Sequence, residues 1–370
     1  MIKYIEIKGF KSIKEVQMEL NSLNILIGGN GSGKSNFISF FKLLKSIANR
    51  QLQRFLMEED VDRLLYFGRK STSELYGKVI FSDNPNHNNA YYFRLAQNST
   101  GGLFIETEGS GYNVRSDDDL KNYNCNNNID ESNFFYSVQL QIYRNKFLND
   151  YLSSLKIFHF HDTSNTSLLR KKCDISDNTV LKHDGRNLPA MLYLLKEKFP
   201  IIFNRIEKTV QSVAPYIYKF ILESNGLNGN EIEIRWIDAG DMESNFSAYQ
   251  LSDGTLRFIA LAVLLMQPNP PAVIIVDEPE LGLHPFAIGK LAGMMQAAST
   301  KTQIIAATQS PGLISHFTPE DIIVIDKSEN ENQTVFNRLN SDSLKNWLED
   351  YTLGDLWERN IINAAQPFKK

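Results

Sequence analysis

The sequence predicts an α/β fold on a mixed, largely parallel sheet whose core is divided by a long insertion. Three observations predict it. A short apolar run, Leu23 to Ile27, ends in Gly28-Gly29-Asn30-Gly31-Ser32-Gly33-Lys34-Ser35, after which Phe37, Phe40, Phe41, Leu44 and Ile47 recur at helical spacing. A second apolar run, Ala272 to Val276, ends in Asp277 and Glu278. From Gly254 onward helical periods alternate with short apolar strands, the pattern of strands covered on both faces.

In chain order, residues 2–8 and 14–20 alternate apolar with polar side chains and read as half-buried strands. The buried strand Leu23–Ile27 and a helix over 36–48 follow. Strand-like pieces cover 75–82, 90–96 and 102–107, and the Asn-rich stretch Asn122 to Asp130 reads as an exposed loop. Residues 135–153 read as a helix, Ile157 to Phe160 as a strand, and 187–213 as two helices parted near Pro200. Tyr216 to Leu222 and Glu231 to Ile237 read as strands. The last part reads as helix 255–266, strand Val273 to Val276, helix 286–298, and strands Ile304 to Ala307 and Ile322 to Ile325. The expected divisions are therefore 1–84, 85–214 for the insertion, and 215–370.

Composition narrows the function. The chain has 370 residues, 42% of them hydrophobic and 22% charged, as in a globular protein. Its longest apolar run, Phe258 to Met266, falls short of the roughly 18 residues of a membrane span, and Met1 to Glu19 has no signal-peptide core. No membrane partner is expected, and the expected location is the cytoplasm. Cys125 and Cys173 offer neither a disulfide framework nor a metal pair at short spacing. A net charge of −4 and a pI near 5.9 do not suggest a dedicated nucleic-acid binder. Lys3, Lys8, Lys11 and Lys14, then Arg69-Lys70, then Arg170-Lys171-Lys172 read as solvated charges, with a local DNA patch left open.

Residues 28–35 fit G-x-x-x-x-G-K-[ST] between a strand and a helix. The glycines let the backbone turn successive N–H groups inward to phosphate oxygens, and the helix that opens there adds its positive end. The expected phosphate-binding set is Gly28, Asn30, Gly31, Ser32, Gly33, Lys34, Ser35 and Asn36. Lys34 would reach the β- and γ-phosphates, and Ser35 and Asp277 would hold Mg²⁺. Glu278 would orient or deprotonate the attacking water. ATP and Mg²⁺ are the expected nucleotide and metal.

Leu251-Ser252-Asp253-Gly254-Thr255-Leu256-Arg257 before a helix resembles the L-S-x-G signature of ABC-type ATPases. Gly9-Phe10-Lys11-Ser12, Arg257 and Asp277-Glu278-Pro279-Glu280-Leu281-Gly282-Leu283-His284-Pro285 resemble the RecF, SMC and OLD (overcoming lysogenisation defect) branch. Within that branch the chain is similar to stand-alone ATPases, through Phe158 to Ser164, Asp184 to Pro189 and Leu353 to Trp357. The resemblance implies a P-loop ABC-type ATPase head with a mixed sheet, an antiparallel β subdomain and a helical insertion. It implies that Ser252, Asp253, Gly254 and Arg257 act in trans on the nucleotide of a second copy. It also implies that Lys11 and Ser12 lie near the nucleotide, and that Gly282 and His284 lie near a dimer interface.

One departure stands out. Gln309 occupies the place where the family often has a histidine at the γ-phosphate; an amide can donate to phosphate but cannot become a cation. Slow hydrolysis is therefore expected. Gln97, Gln139 and Gln141 are open as the Mg²⁺-sensing glutamine. His159, His161 and His284 read as structural or interface residues, and the tail after Asp326-Lys327 is too short for the toprim nuclease domain of OLD proteins. The resulting expectation is a homodimer closed by ATP that controls a separately encoded effector, toprim-like nuclease or toxin, in anti-phage defence or DNA processing. The alternative is a RecF-like repair clamp that binds DNA itself. A transporter subunit is disfavoured by the long stretch between Lys34 and Ser252.

Overall fold

The computed structural model describes residues 1–84, 87–112, 124–132, 143–224, 229–328 and 332–362. They form two compact units, Met1–Leu155 with Thr318–Tyr351 and Asp355–Lys370, and Lys156–Phe317 with Thr352–Gly354. The expected insertion 85–214 is shared between the two units.

The first unit begins with β1 (Ile2–Phe10), β2 (Ile13–Glu19), β3 (Leu23–Ile27), α1 (Lys34–Ala48), α2 (Leu52–Glu58) and α3 (Val61–Leu64). It continues with β4 (Glu74–Asn84), β5 (His87–Gln97), β6 (Leu103–Tyr112), β7 (Asn124–Ile129) and α4 (Tyr143–Ser153). The second unit contains β8 (Lys156–Phe158), β9 (Cys173–Asp174), α5 (Leu188–Lys198), α6 (Pro200–Val213), β10 (Ile217–Ile221), β11 (Glu231–Ile232), β12 (Arg235–Asp238) and β13 (Asp241–Ser247). Then come α7 (Asp253–Met266), β14 (Val273–Asp277), α8 (Pro285–Ser299), β15 (Gln303–Thr308) and α9 (Pro311–Ile314). The chain re-enters the first unit with β16 (Ile322–Ser328), β17 (Gln333–Arg338) and α10 (Ser341–Leu348), and α11 (Leu353–Glu358) follows.

In the first unit, β2-β1-β4-β5-β6-β7 form an antiparallel sheet. Helix α1 packs on it through aromatic rings: Phe40 meets Phe10 edge-on at 5.6 Å and stacks with Phe93 at 6.1 Å. Gly77 is what lets these rings in, because a Cβ there would lie 2.5–2.7 Å from ring atoms of Phe93 and Phe40. Phe37, about 60° round the helix from Phe40, reaches Phe336 of β17 at 5.3 Å. The helix is therefore buried on more than the one face its periodicity suggests. All five residues of β3 are buried, as its apolar run requires; it pairs parallel with β16, which pairs antiparallel with β17. The first turn of α1 is thereby held at the end of a rigid strand.

In the second unit, β14 pairs parallel with both β8 and β15. Beside them β10-β12-β13 make a small antiparallel sheet in which Trp236 stacks on Phe246 at 4.9 Å. Every residue of α7 from Thr255 to Leu265 is buried, which accounts for its almost uninterrupted apolar sequence.

Two expectations need correction. Asn124–Ile129, expected as loop, is a strand whose register with β6 pairs Ile105 with Ile129 and Thr107 with Asn127. Backbone pairing at a sheet edge overrides the weak strand propensity of asparagine. Glu231 to Ile237 is two strands in two sheets, β11 on β9 and β12 on β10. The polar β13 has no apolar alternation and is recognisable only through its pairing with β12. The helix expected over 135–153 is observed from Tyr143. Residues 135–142, with Gln139 and Gln141, lie outside the described residues. Among the described residues no helix is long and apolar enough to cross a membrane.

Candidate functional site

The candidate residues fall into two groups, one in each unit. The first is the loop between β3 and α1. Gly28 sits where a Cβ would lie 2.2 Å from the Ile325 carbonyl oxygen of β16, so no side chain fits. Gly33 has φ 114°, and its Cβ would lie 2.5 Å from Thr334 Oγ1. Gly31 also needs its left-handed φ of 77°. Beyond these contacts the loop is open: nothing lies within 4 Å of a Cβ at Gly29 or Gly31, and Gly29, Asn30, Gly31 and Ser35 are exposed.

Two polar groups inside the loop show what it accepts. Lys34 is only 6% exposed, and its ammonium donates to the carbonyls of Gly28 at 2.6 Å and Gly29 at 3.0 Å. Among the described residues the hydroxyl of buried Ser32 has no hydrogen-bond partner. A buried donor beside a buried cation and the N-terminus of a 15-residue helix suits an anion such as a phosphate. The donor set therefore fits a nucleotide, and the exposed Ser35 hydroxyl at the first turn fits Mg²⁺.

A buttress from β17 holds the loop in shape. Thr334, 1% exposed, donates its hydroxyl to the Ser32 carbonyl at 3.0 Å and lies 2.7 Å from Ser12 Oγ. Ser12 Oγ in turn accepts from Asn36 Nδ2 at 2.7 Å. Ser12 and Asn36 are thus brought to the loop directly. Lys11 takes a left-handed φ of 49° and pairs with Glu59 at 3.0 Å. Lys11, Ser12, Asn36, Glu59, Arg63 and Tyr66 border a cavity of about 410 Å³.

The second group lies around the tip of β14. Glu278 follows the strand in a left-handed conformation, φ 43°, with its N–H on the Ala307 carbonyl at 2.8 Å. A non-glycine residue in this region costs about 1 kcal/mol or more, so the surroundings impose the turn. Gln309 donates its amide to Glu278 Oε1 at 3.2 Å, so the sequence-selected pair is brought together. Next to it, Glu280 is 8% exposed; one carboxylate oxygen accepts from the Thr308 hydroxyl and the other has no partner among the described residues. Burial, helped by the nearby Glu278 charge, raises the Glu280 pKa above the usual carboxylate range. His161 bonds through its ring to the Asp277 carbonyl at 2.8 Å, a structural role.

The signature segment is scaffolded by two buried arginines. Ser252 caps α7 by accepting from the Thr255 N–H at 3.2 Å, and both Ser252 and Asp253 are exposed. Gly254 packs against the loop of Gly282, where a Cβ would lie 2.4 Å from the Gly282 carbonyl oxygen. Arg257, 4% exposed, turns inward: it donates to the carbonyls of Phe160 at 2.8 Å, His161 at 3.0 Å and Leu281. Burial lowers its pKa, but a guanidinium remains charged. His284 caps α8 by accepting from the Phe286 N–H at 3.3 Å.

Arg170 was missed by sequence reasoning. It is 5% exposed, not solvated as the run Arg170-Lys171-Lys172 suggests. It donates to the carbonyls of Thr163, Ala248 and Leu251 and pairs with Asp253 at 2.6 Å, so the 3-10 turn Ala248–Gln250 that leads into the signature hangs on it. Other candidate basic residues are neutralised in place, Lys8 by Glu6 and Glu15 and Arg69 by Asp62. Among the described residues no group of three His, Cys, Asp or Glu side chains offers a separate metal site.

Comparison with known proteins bears on this arrangement. A family model described as "AAA domain, putative AbiEii toxin, Type IV TA system" matches residues 23–315. Among solved structures, the Smc head bound to the C-winged helix domain of ScpA is 16% identical with a TM-score of 0.59, over 92% of this chain and 98% of that one. An Smc head domain with an extended coiled coil, bound to the C-terminal domain of ScpA and derived from Pyrococcus furiosus, is 15% identical with a TM-score of 0.54, over 94% and 98%. At these identities the similarity is one of fold. A curated protein, urease accessory protein 2 of Cryptococcus neoformans var. grubii serotype A, is 35% identical over 89 residues, 22% of this chain. The chain spans only 7% of that protein's length.

Proposed function

Because the chain belongs to the AAA domain family whose model it matches and shares the fold of Smc heads, we propose that it is an ABC-type P-loop ATPase of the RecF and SMC branch that works as an ATP switch closing as a homodimer. Gly28, Asn30, Gly31, Ser32, Gly33, Lys34, Ser35 and Asn36 bind the phosphates, and the cavity beside Lys11 and Ser12 takes the nucleoside end. Ser35 and Asp277 would hold Mg²⁺, which would supply charge neutralisation at the phosphates. Glu278 takes the proton of the attacking water while Gln309 holds its carboxylate in place. The exposed Ser252, Asp253 and Gly254 meet the nucleotide of the second copy, with Gly282 and His284 close to that interface. Arg257, buried against three carbonyls, acts by positioning that surface rather than by touching phosphate.

The observation that carries this reading is the exposed N-terminus of α7. The first turn of a 14-residue helix, with Ser252 and Asp253 bare to solvent, is braced by two buried arginines as a preformed surface. Such bracing has little purpose unless something docks there. The switch would control a separately encoded effector, toprim-like nuclease or toxin, in anti-phage defence or DNA processing within the cytoplasm. The acidic chain, and the pairing of Lys8 with Glu15 and of Arg69 with Asp62, favour this over a repair clamp that holds DNA directly.

Light scattering tests the switch. Glu278→Gln protein should run as a monomer without nucleotide and as a dimer with ATP and Mg²⁺, because a ligand in an interface drives association by linkage. ATP-loaded Glu278→Gln that stays monomeric would refute it.

A further inference from the structure

The second unit carries a groove that the nucleotide reading does not use. Helix α6, the C-terminal end of α7, and α8 enclose two adjoining cavities of about 360 and about 510 Å³ that share Arg205, Thr209 and Lys290. The floor is apolar, formed by Ile202, Leu265, Met266, Met294 and Ala297. The rim is cationic, with Arg205, Lys208, Lys290 and Lys301, and among the described residues no Asp or Glu lines either cavity. The whole chain has 43 carboxylates against 39 lysines and arginines, so four cations without one carboxylate depart from its average surface. Elsewhere exposed cations such as Arg69, Lys172 and Arg186 are paired with carboxylates. At the margins Ile201 is 77% and Phe286 53% exposed, and the Lys290 ammonium lies over the Phe286 ring at 5.4 Å.

We propose that this groove docks an acidic amphipathic helix of a partner protein. Apolar side chains at helical spacing would seat on Leu265 and Met294, and carboxylates would meet the four rim cations. Charge complementarity selects an acidic partner, and the apolar floor selects a peptide over a nucleic acid, whose backbone tracks polar grooves with stacking aromatics. From Phe286 to Lys301 the groove side of α8 runs about 22 Å, the length of about 15 helical residues. This inference rests on the reading of the chain as a switch that controls an effector. The helices that begin at Ser252 and His284 end beside the groove, so an occupant would bear on the same two rigid elements that present the signature.

The test uses the full chain and a fluorescein-labelled synthetic helix of about 16 residues, leucines on one face and glutamates on the other. Its binding is read by anisotropy, with ATP binding measured in parallel. Arg205→Glu with Lys290→Glu should weaken the peptide at least about tenfold, whereas the same charge change at exposed Lys14 and Lys345 should alter it less than about twofold. Gly293→Leu is the steric probe: a Cβ there meets nothing within 4 Å, so the side chain fills the groove without a clash and should also remove at least about tenfold of the affinity. Peptide binding that survives Gly293→Leu overturns the proposal. So does equal binding of a glutamine-for-glutamate helix, or a 20-base-pair duplex that binds, and is lost on the same substitutions, in place of the peptide. No peptide bound by protein that binds ATP overturns the groove alone. Peptide bound by protein that binds no ATP supports the groove and removes the switch reading.

Discussion

In the proposed switch the phosphate loop and the signature surface solve one problem, presenting donors to an anion, by different means. Residues 28–36 do so largely locally: glycines set the path, Lys34 bonds carbonyls of the same loop, and Thr334 and the Ile325 carbonyl reach in from far along the chain. The signature is held at a distance. Arg170 lies 81 residues before the Leu251 it supports, and Arg257 lies 97 residues after the Phe160 carbonyl it holds. A local device can be recognised from a short motif, whereas a scaffolded surface depends on contacts that no motif contains.

Removing the one buried cation of the loop should have the largest effect. Lys34→Ala is expected to abolish ATP binding and keep the fold, because charge-assisted bonds to phosphate are the strong ones. Equilibrium binding of labelled ATP checks this; micromolar affinity in the variant would contradict it. Glu278→Gln comes next. It should bind ATP as the wild type does and lose at least about a hundredfold in turnover, since an amide cannot accept the proton. Turnover within about threefold would leave Glu278 a merely electrostatic part.

The glycines sharpen the picture of a locally built loop. Gly28→Ala drives a Cβ to 2.2 Å from a backbone oxygen and should cost about 1–3 kcal/mol of stability as well as ATP affinity. Gly29→Ala meets open space and should change both little. Equal melting temperatures for the two would show that the contact with β16 is relaxed in solution.

On the acidic side, Glu280 gives a pH signature. Its folded pKa is raised, so between the unfolded and folded values the native state holds a proton that the unfolded chain has lost. Stability then falls as pH rises through that window, and Glu280→Gln removes the loss. The melting temperature of the variant relative to wild type should therefore climb as pH rises above the ordinary carboxylate range. A flat difference would mean that Glu280 is charged when folded. The smallest effect is expected at Gln309, where Gln309→His should leave the slow turnover, on the order of one per second or less, equal or higher. A severe loss would give the Gln309–Glu278 bond a specific geometry of its own.

The same contrast explains what could be read from the sequence. The strand, loop and helix from Leu23 to Ala48, and the strand ending at Asp277, follow from residues adjacent in the chain. Asn124–Ile129 could not be read, because its order comes from β6 and not from its own asparagines. Thr334 looks like any strand threonine until its contact with Ser32, 302 residues away, is known. Arg170 was misjudged for a related reason. A run of three cations normally stays in water, and only the carbonyls of Ala248 and Leu251 show that its first member is buried.

The central claim is that loop and signature serve each other across two copies of the chain, and mixing two dead variants tests it most directly. Lys34→Ala removes the loop and Ser252→Arg blocks the signature, so each protein alone should be inactive. In the heterodimer one composite site carries both defects and the other carries neither. ATPase activity should therefore return on mixing, up to about a quarter of the wild-type rate for random pairing and independent sites. A mixture that stays inactive while heterodimers are shown to form would contradict a site built from two chains with independent turnover.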